Sequence, residues 1–218
     1  MGKIFGRSGT ELLEFLIAGT GPASIMISWV LIISGMFPEV GEKLHAEIEE
    51  FVASDEESMD IKTCAKLEYL DMVIKETLRH FTAPFIFRQT KEDVFIKGFP
   101  TIPAGARLGL LFHALHHHPA YWERPMEFYP EHFLPENVAK RPNGTFNPFS
   151  GGMRDCLGAK YAMQTMKCVL TQILSKVKFK PAKMKPWTNV YDEVSFEYAF
   201  VQMAADGFFV LKSSLAKK

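Results

Sequence analysis

From Phe15 to Pro38 the chain carries no charged side chain, and no other stretch narrows its choices as far. A backbone that long among apolar side chains meets its hydrogen bonds as a helix, and such a helix must be covered. Two covers suit it: a bilayer, which the run is long enough to cross, or a larger protein that buries it on nearly all sides. Gly19, Gly21 and Pro22 fall mid-run, as in a helix distorted around something, although membrane helices tolerate the same breaks. Ahead of it, Met1–Gly9 holds only Lys3 and Arg7 as charges and no small-residue cleavage site, so no secretory signal is read.

After the run the pattern turns amphipathic. Pro38 and Glu39 suit a helix N-terminus, and Val40, Leu44 and Ile48 recur every four residues until the polar stretch Ala53–Met59. A second helix is expected from about Leu67 to His80, with Leu70, Val73, Ile74, Thr77 and Leu78 on one face and Thr82-Ala83-Pro84 as its stop. Short strands follow at Val94–Ile96, Phe99–Ile102 and Leu108–Phe112, parted by Lys97-Gly98 and Pro103-Ala104-Gly105. From His118 to Phe149 the chain is punctuated by proline and irregular, anchored by Trp122, Phe128, Phe133 and Phe146. A third helix runs from near Gly158 to about Lys176, with Ala162, Met166, Val169 and Ile173 as its buried stripe. A hairpin closes the chain, Ser195–Met203 with Phe208–Leu211 about Asp206-Gly207. The class is mainly α, a helix-rich α+β.

Lys+Arg and Asp+Glu number 25 each, so no overall field draws a polyanion, and nucleic-acid binding is not expected. The cysteines, Cys64, Cys156 and Cys168, are too few and too odd in number for a disulfide framework, which points to a reducing compartment. His113, His116, His117 and His118 lack the Glu of a metalloprotease helix and run into Pro119; they read as a polar, partly packed loop.

Chemistry concentrates in Phe149-Ser150-Gly151-Gly152-Met153-Arg154-Asp155-Cys156-Leu157-Gly158, a cysteine in a glycine-rich loop just before a helix. Backbone N–H groups near Gly152 and Gly158, with the positive end of the helix, favour negative charge on sulfur. Such a sulfur is a nucleophile, a redox thiol or a metal ligand, and no second cysteine stands close enough in sequence for a tetrahedral zinc site. A lone thiolate with Arg154 and Phe149 upstream suits a large flat iron cofactor. The sulfur would be axial, Arg154 would pair a propionate and Phe149 would shield the sulfur.

Phe149-x-x-Gly152-x-Arg154-x-Cys156-x-Gly158 resembles the haem-binding loop of the cytochrome P-450 haem-thiolate monooxygenases at every defining position. Glu76-Thr77-Leu78-Arg79 is similar to the Glu-x-x-Arg of that family's helix K, whose two members share a helix face and can pair. Ala18-Gly19 stands where the family's distal helix carries an Ala-Gly over iron, and Arg88 where an Arg meets a propionate. Trp122, Pro125 and Phe128 resemble the lead into the family's irregular meander. The resemblance takes in residues 1–218 as a single partial domain: the C-terminal, haem-binding half of the fold with small β-sheets, from the long distal helix to the C-terminal hairpin. It favours a buried core helix over a membrane span for the apolar run.

The resemblance implies haem (iron protoporphyrin IX) on Cys156, held in the loop shaped by Gly152 and Gly158, with Arg154, Arg88 and Phe149 around it. It implies an NADPH-dependent reductase or other electron donor, and insertion of one oxygen atom from O2 into a small lipophilic substrate. It also implies a truncated form of a protein of the endoplasmic reticulum membrane, on the cytosolic face, whose anchor is absent from this chain. Lys160 and Lys167 fall near one helix face where an acidic electron donor docks in the family, and read equally as solvated lysines.

Two positions depart from the pattern. The distal Ala-Gly-x-Asp/Glu-Thr is here Ala18-Gly19-Thr20-Gly21-Pro22, so Gly21 and Pro22 replace the acid and alcohol that deliver protons; Thr20 and Ser24 are the nearby hydroxyls. His132 stands where an Arg completes a network with Glu76 and Arg79. A His brings no fixed charge, so weaker cofactor retention is expected. These departures keep open a haem-thiolate isomerase or dehydratase acting on a peroxide, or a catalytically inactive fragment.

Overall fold

The computed structural model describes residues 7–54, 61–82, 86–181, 196–198, 202–204 and 211–215. Helix α1, Arg7–Met36, runs unbroken through Pro22. Its C-terminal half enters the core through Met26, Trp29, Val30, Ile33 and Met36, all nearly inaccessible. Helix α2, Pro38–Ser54, folds back at once, and the corner is held by Phe37 N–H to Ile33 O (2.9 Å) and Gly41 N–H to Phe37 O (3.0 Å). Position 41 must be glycine, because a Cβ there would sit 2.2 Å from the Ser34 carbonyl oxygen. The expected face of α2, Val40, Leu44 and Ile48, is buried.

After a short α3, Ile61–Cys64, helix α4 spans Glu68–Phe81. Its free N-terminal amides are met from α2: the Glu47 carboxylate accepts Tyr69 N–H (2.6 Å) and Leu70 N–H (2.8 Å), a negative group at the positive helix end. The predicted face of α4 is buried, and Trp29 of α1 stacks on Phe81 at 3.9 Å with the rings nearly parallel. Helix α7, Ala159–Leu174, completes the bundle with α1, α2 and α4. Its buried residues are Met166, Lys167, Leu170, Thr171 and Leu174, so the stripe sits one position round from the expected Val169 and Ile173, which are half-buried. Two of the five are polar, which hid the phase of the stripe.

Three two-stranded antiparallel sheets flank the bundle among the described residues. Strand β1, Ile86–Gln89, pairs with β2, Arg107–Leu110, setting Arg88 opposite Leu108. The expected strand at Leu108–Phe112 therefore ends early, and Phe112 opens a short helix α5, Phe112–His116. Val94–Ile96 and Phe99–Ile102 meet only at the Val94–Ile102 bridge: Phe95, Ile96 and Phe99 are exposed, with no layer to pack on. A 3₁₀ turn, Pro130–Phe133, and helix α6, Pro135–Lys140, lie in the irregular stretch. The C-terminal hairpin is corrected. Strand β4, Phe196–Tyr198, pairs with β5, Gln202–Ala204, inside its expected first arm. Strand β6, Leu211–Leu215, pairs with β3, Val177–Pro181, a strand just past the expected helix end that the sequence pattern does not mark. Its expected turn, Asp206-Gly207, lies outside the described residues.

The apolar run needs a second correction. Gly9–Met36 is long and apolar enough to cross a membrane by length and composition, with a mean hydropathy of 1.9, and only 22% of that apolar window is buried. Leu12, Leu13, Phe15, Leu16 and Ile17 are each more than half exposed, because the bundle packs against the C-terminal half of α1 alone. The helix is not buried on nearly all sides.

Candidate functional site

The cysteine loop is closed at its ends by backbone. Cys156 N–H donates to Phe149 O at 2.9 Å, and Asp155 N–H to Gly152 O at 3.1 Å. Gly152 has φ +81°, a conformation that favours glycine, and Ser150 shares the left-handed region at φ 66°. Ala159 N–H to Cys156 O (3.2 Å) and Ala162 N–H to Gly158 O (2.8 Å) then start α7 directly behind the sulfur. Cys156 is exposed.

The sulfur opens on a cavity of about 570 Å³ between this loop and α1. One wall is Ala18, Gly19, Pro22, Ala23 and Met26 of α1; another is Phe149, Cys156, Gly158 and Ala162. Arg88 and Arg154 are the cavity's two cationic side chains. Arg88 is held at the loop, its Nη2 donating to Ser150 Oγ (3.1 Å) and to the Arg154 carbonyl (3.4 Å), its Nη1 to Phe87 O (3.0 Å). Its polar lining is the Cys156 thiol, the two guanidinium groups, the Asp155 carboxylate and the hydroxyls of Thr82, Ser150 and Tyr161, in an otherwise largely apolar slot. A flat apolar macrocycle that carries an iron for the sulfur and carboxylates for the guanidinium groups fits that chemistry.

Of the residues singled out in the sequence, Cys156, Arg154, Phe149, Gly158 and Arg88 line the cavity, and Gly152 shapes its loop. Thr20 and Ser24 do not line it. Their hydroxyls donate to carbonyls of their own helix, Thr20 Oγ1 to Leu16 O (2.7 Å) and Ser24 Oγ to Gly21 O (2.8 Å). Ser150, Tyr161 and Ile86 also line the cavity and carry no signature that sequence reading would catch.

Behind the loop lies the buried Glu76–Arg79 pair. Arg79 Nε donates to Glu76 Oε2 (2.9 Å) and Nη2 to Oε1 (2.8 Å), with both side chains fully buried. The rest of the guanidinium ties distant chain together: Nη1 donates to the carbonyls of His116 (2.9 Å) and Pro125 (2.6 Å), and Nη2 to that of Glu127 (2.9 Å). Glu76 accepts in addition from Tyr129 N–H (2.8 Å) and from His132 Nδ1 (3.2 Å). Burial pushes the Glu76 carboxyl up, but the Arg79 charge and the hydrogen bonds from Arg79, His132 and His80 outweigh it. The net result lies well below the usual carboxylate range. His132 thus joins the network by one ring nitrogen, while its buried Nε2 has no partner among the described residues. The scaffold reaches the loop directly: Thr82 Oγ1, at the end of α4, donates to Pro148 O (2.9 Å), and Asn147 N–H donates to His116 Nε2 (3.0 Å).

Of the histidines read as a loop, His113, His116 and His117 pack into this scaffold and His118 is exposed. His116 is fully buried in α5, and no group of three metal-binding side chains occurs among the described residues. Lys167 also leaves the solvated reading. It is largely buried and pairs with Asp71 of α4 at 2.7 Å, whereas Lys160 is exposed.

A fold of this shape around a cysteine loop facing a long apolar helix defines a haem-binding domain. The Cytochrome P450 family pattern matches residues 9–199, and the chain belongs to that family. It is 36% identical over 172 residues to cytochrome P450 4c3 of Drosophila melanogaster, covering 78% of this chain and 32% of that protein. It is 35% identical over 165 residues to cytochrome P450 4V2 of Homo sapiens, covering 75% and 31%. Among solved structures, the cytochrome P450DA heme domain superposes with a TM-score of 0.82 at 26% identity, covering 95% of this chain and 44% of that one. The chain thus spans about a third of the length of these curated relatives. Haem is the cofactor of the family.

Proposed function

We propose that this chain is the haem-holding part of a haem-thiolate monooxygenase of the endoplasmic reticulum membrane, facing the cytosol, and that residues 1–218 form a single partial domain. Cys156 would hold the iron through its sulfur, Arg154 and Arg88 would each meet a propionate, and Phe149 would keep water from the sulfur. When bound, haem supplies iron-centred oxidation of a small lipophilic substrate with electrons from a reductase. Gly152 and the Phe149–Cys156 backbone bond hold the sulfur at the cavity mouth. Glu76, Arg79 and His132 fix the chain beneath it.

One observation carries the reading: the Cys156 thiol and two guanidinium groups, against one carboxylate (Asp155), share a single, largely apolar cavity walled by α1. The test is reconstitution with haemin, reduction and exposure to carbon monoxide. A strongly red-shifted Soret band is expected, and Cys156→Ser should abolish it while leaving the helical circular dichroism intact. No haem uptake by the wild-type chain would favour an inactive fragment.

A second reading, turnover of a lipid hydroperoxide without a reductase, is favoured by the distal wall. Pro22 and Ala23 offer no proton there, and the Thr20 and Ser24 hydroxyls are engaged with their own helix. Hydroperoxide turnover without reduced nicotinamide separates the two chemistries.

A further inference from the structure

Pro22 leaves a second mark on the cavity, apart from the missing alcohol. In an α-helix each carbonyl is met by the N–H four residues on, and proline has none. Because α1 continues through Pro22, the carbonyl of Ala18 lacks that donor. Nearby hydroxyls do not replace it: Thr20 donates to Leu16 O, Ser24 to Gly21 O and Ser28 to Ser24 O. Ala18 and Pro22 both line the cavity, one turn apart. Gly19, beside them, leaves the backbone bare, since a Cβ there would meet no atom within 4 Å. Ala23 and Met26, further along the wall, are apolar.

On the haem-thiolate reading of this cavity, we propose that the Ala18 carbonyl is the polar anchor of the distal wall and selects an apolar molecule that bears a hydroxyl group. Ala18 is exposed, so water reaches this carbonyl while nothing is seated on the distal wall. A wholly apolar occupant strips that water and leaves a buried acceptor unmet, which is unfavourable. A hydroxyl donates to it and removes the penalty, and discrimination of this kind comes chiefly from the group left unpaired with the wrong ligand.

The test compares 1-dodecanol with its methyl ether, measuring both dissociation constants by equilibrium dialysis on the haem-loaded chain, with no turnover required. The wild-type chain is expected to hold the alcohol more tightly by roughly five-fold, the size of one net hydrogen bond. Pro22→Val, at similar bulk, and Pro22→Ala both restore the N–H to Ala18. Each suits a helix better than proline, so folding is not at risk. In both variants the preference is expected to fall to near unity. No preference in the wild type, or one that survives in both variants, overturns the anchor and leaves the haem reading standing. A wild-type chain whose reduced carbon monoxide complex lacks the thiolate Soret band overturns both.

Discussion

Arg79 is the most heavily engaged side chain described, with a two-bonded fork to Glu76 and bonds to the carbonyls of His116, Pro125 and Glu127. Its guanidinium stays charged at any useful pH, so its partner cannot be neutralised without leaving a buried cation. Glu76→Gln is therefore expected to destabilise by about 3–5 kcal/mol, read from urea midpoints. His132→Ala removes one hydrogen-bond donor to Glu76 and is expected to cost about 1–3 kcal/mol. Histidines pack beside Arg79: His80 Nε2 lies 2.6 Å from Arg79 Nη2 and 3.0 Å from the Glu127 carbonyl, His80 Nδ1 lies 3.2 Å from His117 Nε2, and His117 Nδ1 donates to His113 O (2.8 Å). Burial first, and the Arg79 charge second, lower His80 to about 4 and His116 to about 3. Unfolded, both titrate near 6.5. Stability is therefore fully present above pH 6.5 and is lost as pH falls toward about 4, each histidine adding about 1.4 kcal/mol per unit to the slope. Thermal midpoints between pH 7 and 4 check this, and His80→Gln should flatten the curve. The Glu76–Arg79 spacing was legible in sequence. The burial of His80 was not, since helical periodicity places such residues outward, and the carbonyls at 116, 125 and 127 that accept from Arg79 beside it are remote in the chain.

The elements around the cysteine differ in how plainly they announce themselves. The loop is written in consecutive residues, so its glycines and its helix start could be placed directly. Gly152→Ala forces a Cβ into φ +81° and is expected to cost about 1 kcal/mol or more and to speed haem loss, measured by transfer to apomyoglobin. Helix α7 was found by its period, but its phase was missed, because Lys167 and Thr171 occupy buried positions that pattern reading reserves for apolar side chains. What makes Lys167 acceptable there is Asp71 on α4, which also binds Lys75 at 2.5 Å. Lys167→Ala is expected to lower stability by about 1–2 kcal/mol, by thermal unfolding, while Lys160→Ala leaves it unchanged. If an acidic electron donor docks on this helix face, Lys160, the exposed one of the two lysines, is the one whose removal is expected to slow reduction. Strand β1 was missed for a related reason: its pairing with β2 reaches across an intervening stretch that holds only the Val94–Ile102 bridge.

Across the whole molecule, the cover that the apolar run demands is supplied only in part. Hydropathy shows that α1 needs covering but not how far the cover extends, because large apolar side chains run through both halves although Arg7, Glu11 and Glu14 all fall in the first; packing against α2, α4 and α7 separates them. From Leu12 to Ile17 the large side chains face solvent on more than one side of the helix. Burying each is worth about 1.5–3 kcal/mol, which favours a second surface wherever one is met. The chain alone is therefore expected to associate in a concentration-dependent way, seen by sedimentation velocity. Leu13 and Ile17 do not line the cavity, so Leu13→Lys together with Ile17→Lys should shift the distribution toward monomer while leaving haem uptake as it was. If the doubly substituted chain associates as before, the exposed Phe95 and Phe99 become the next surface to substitute, and α1 is not what holds the copies together.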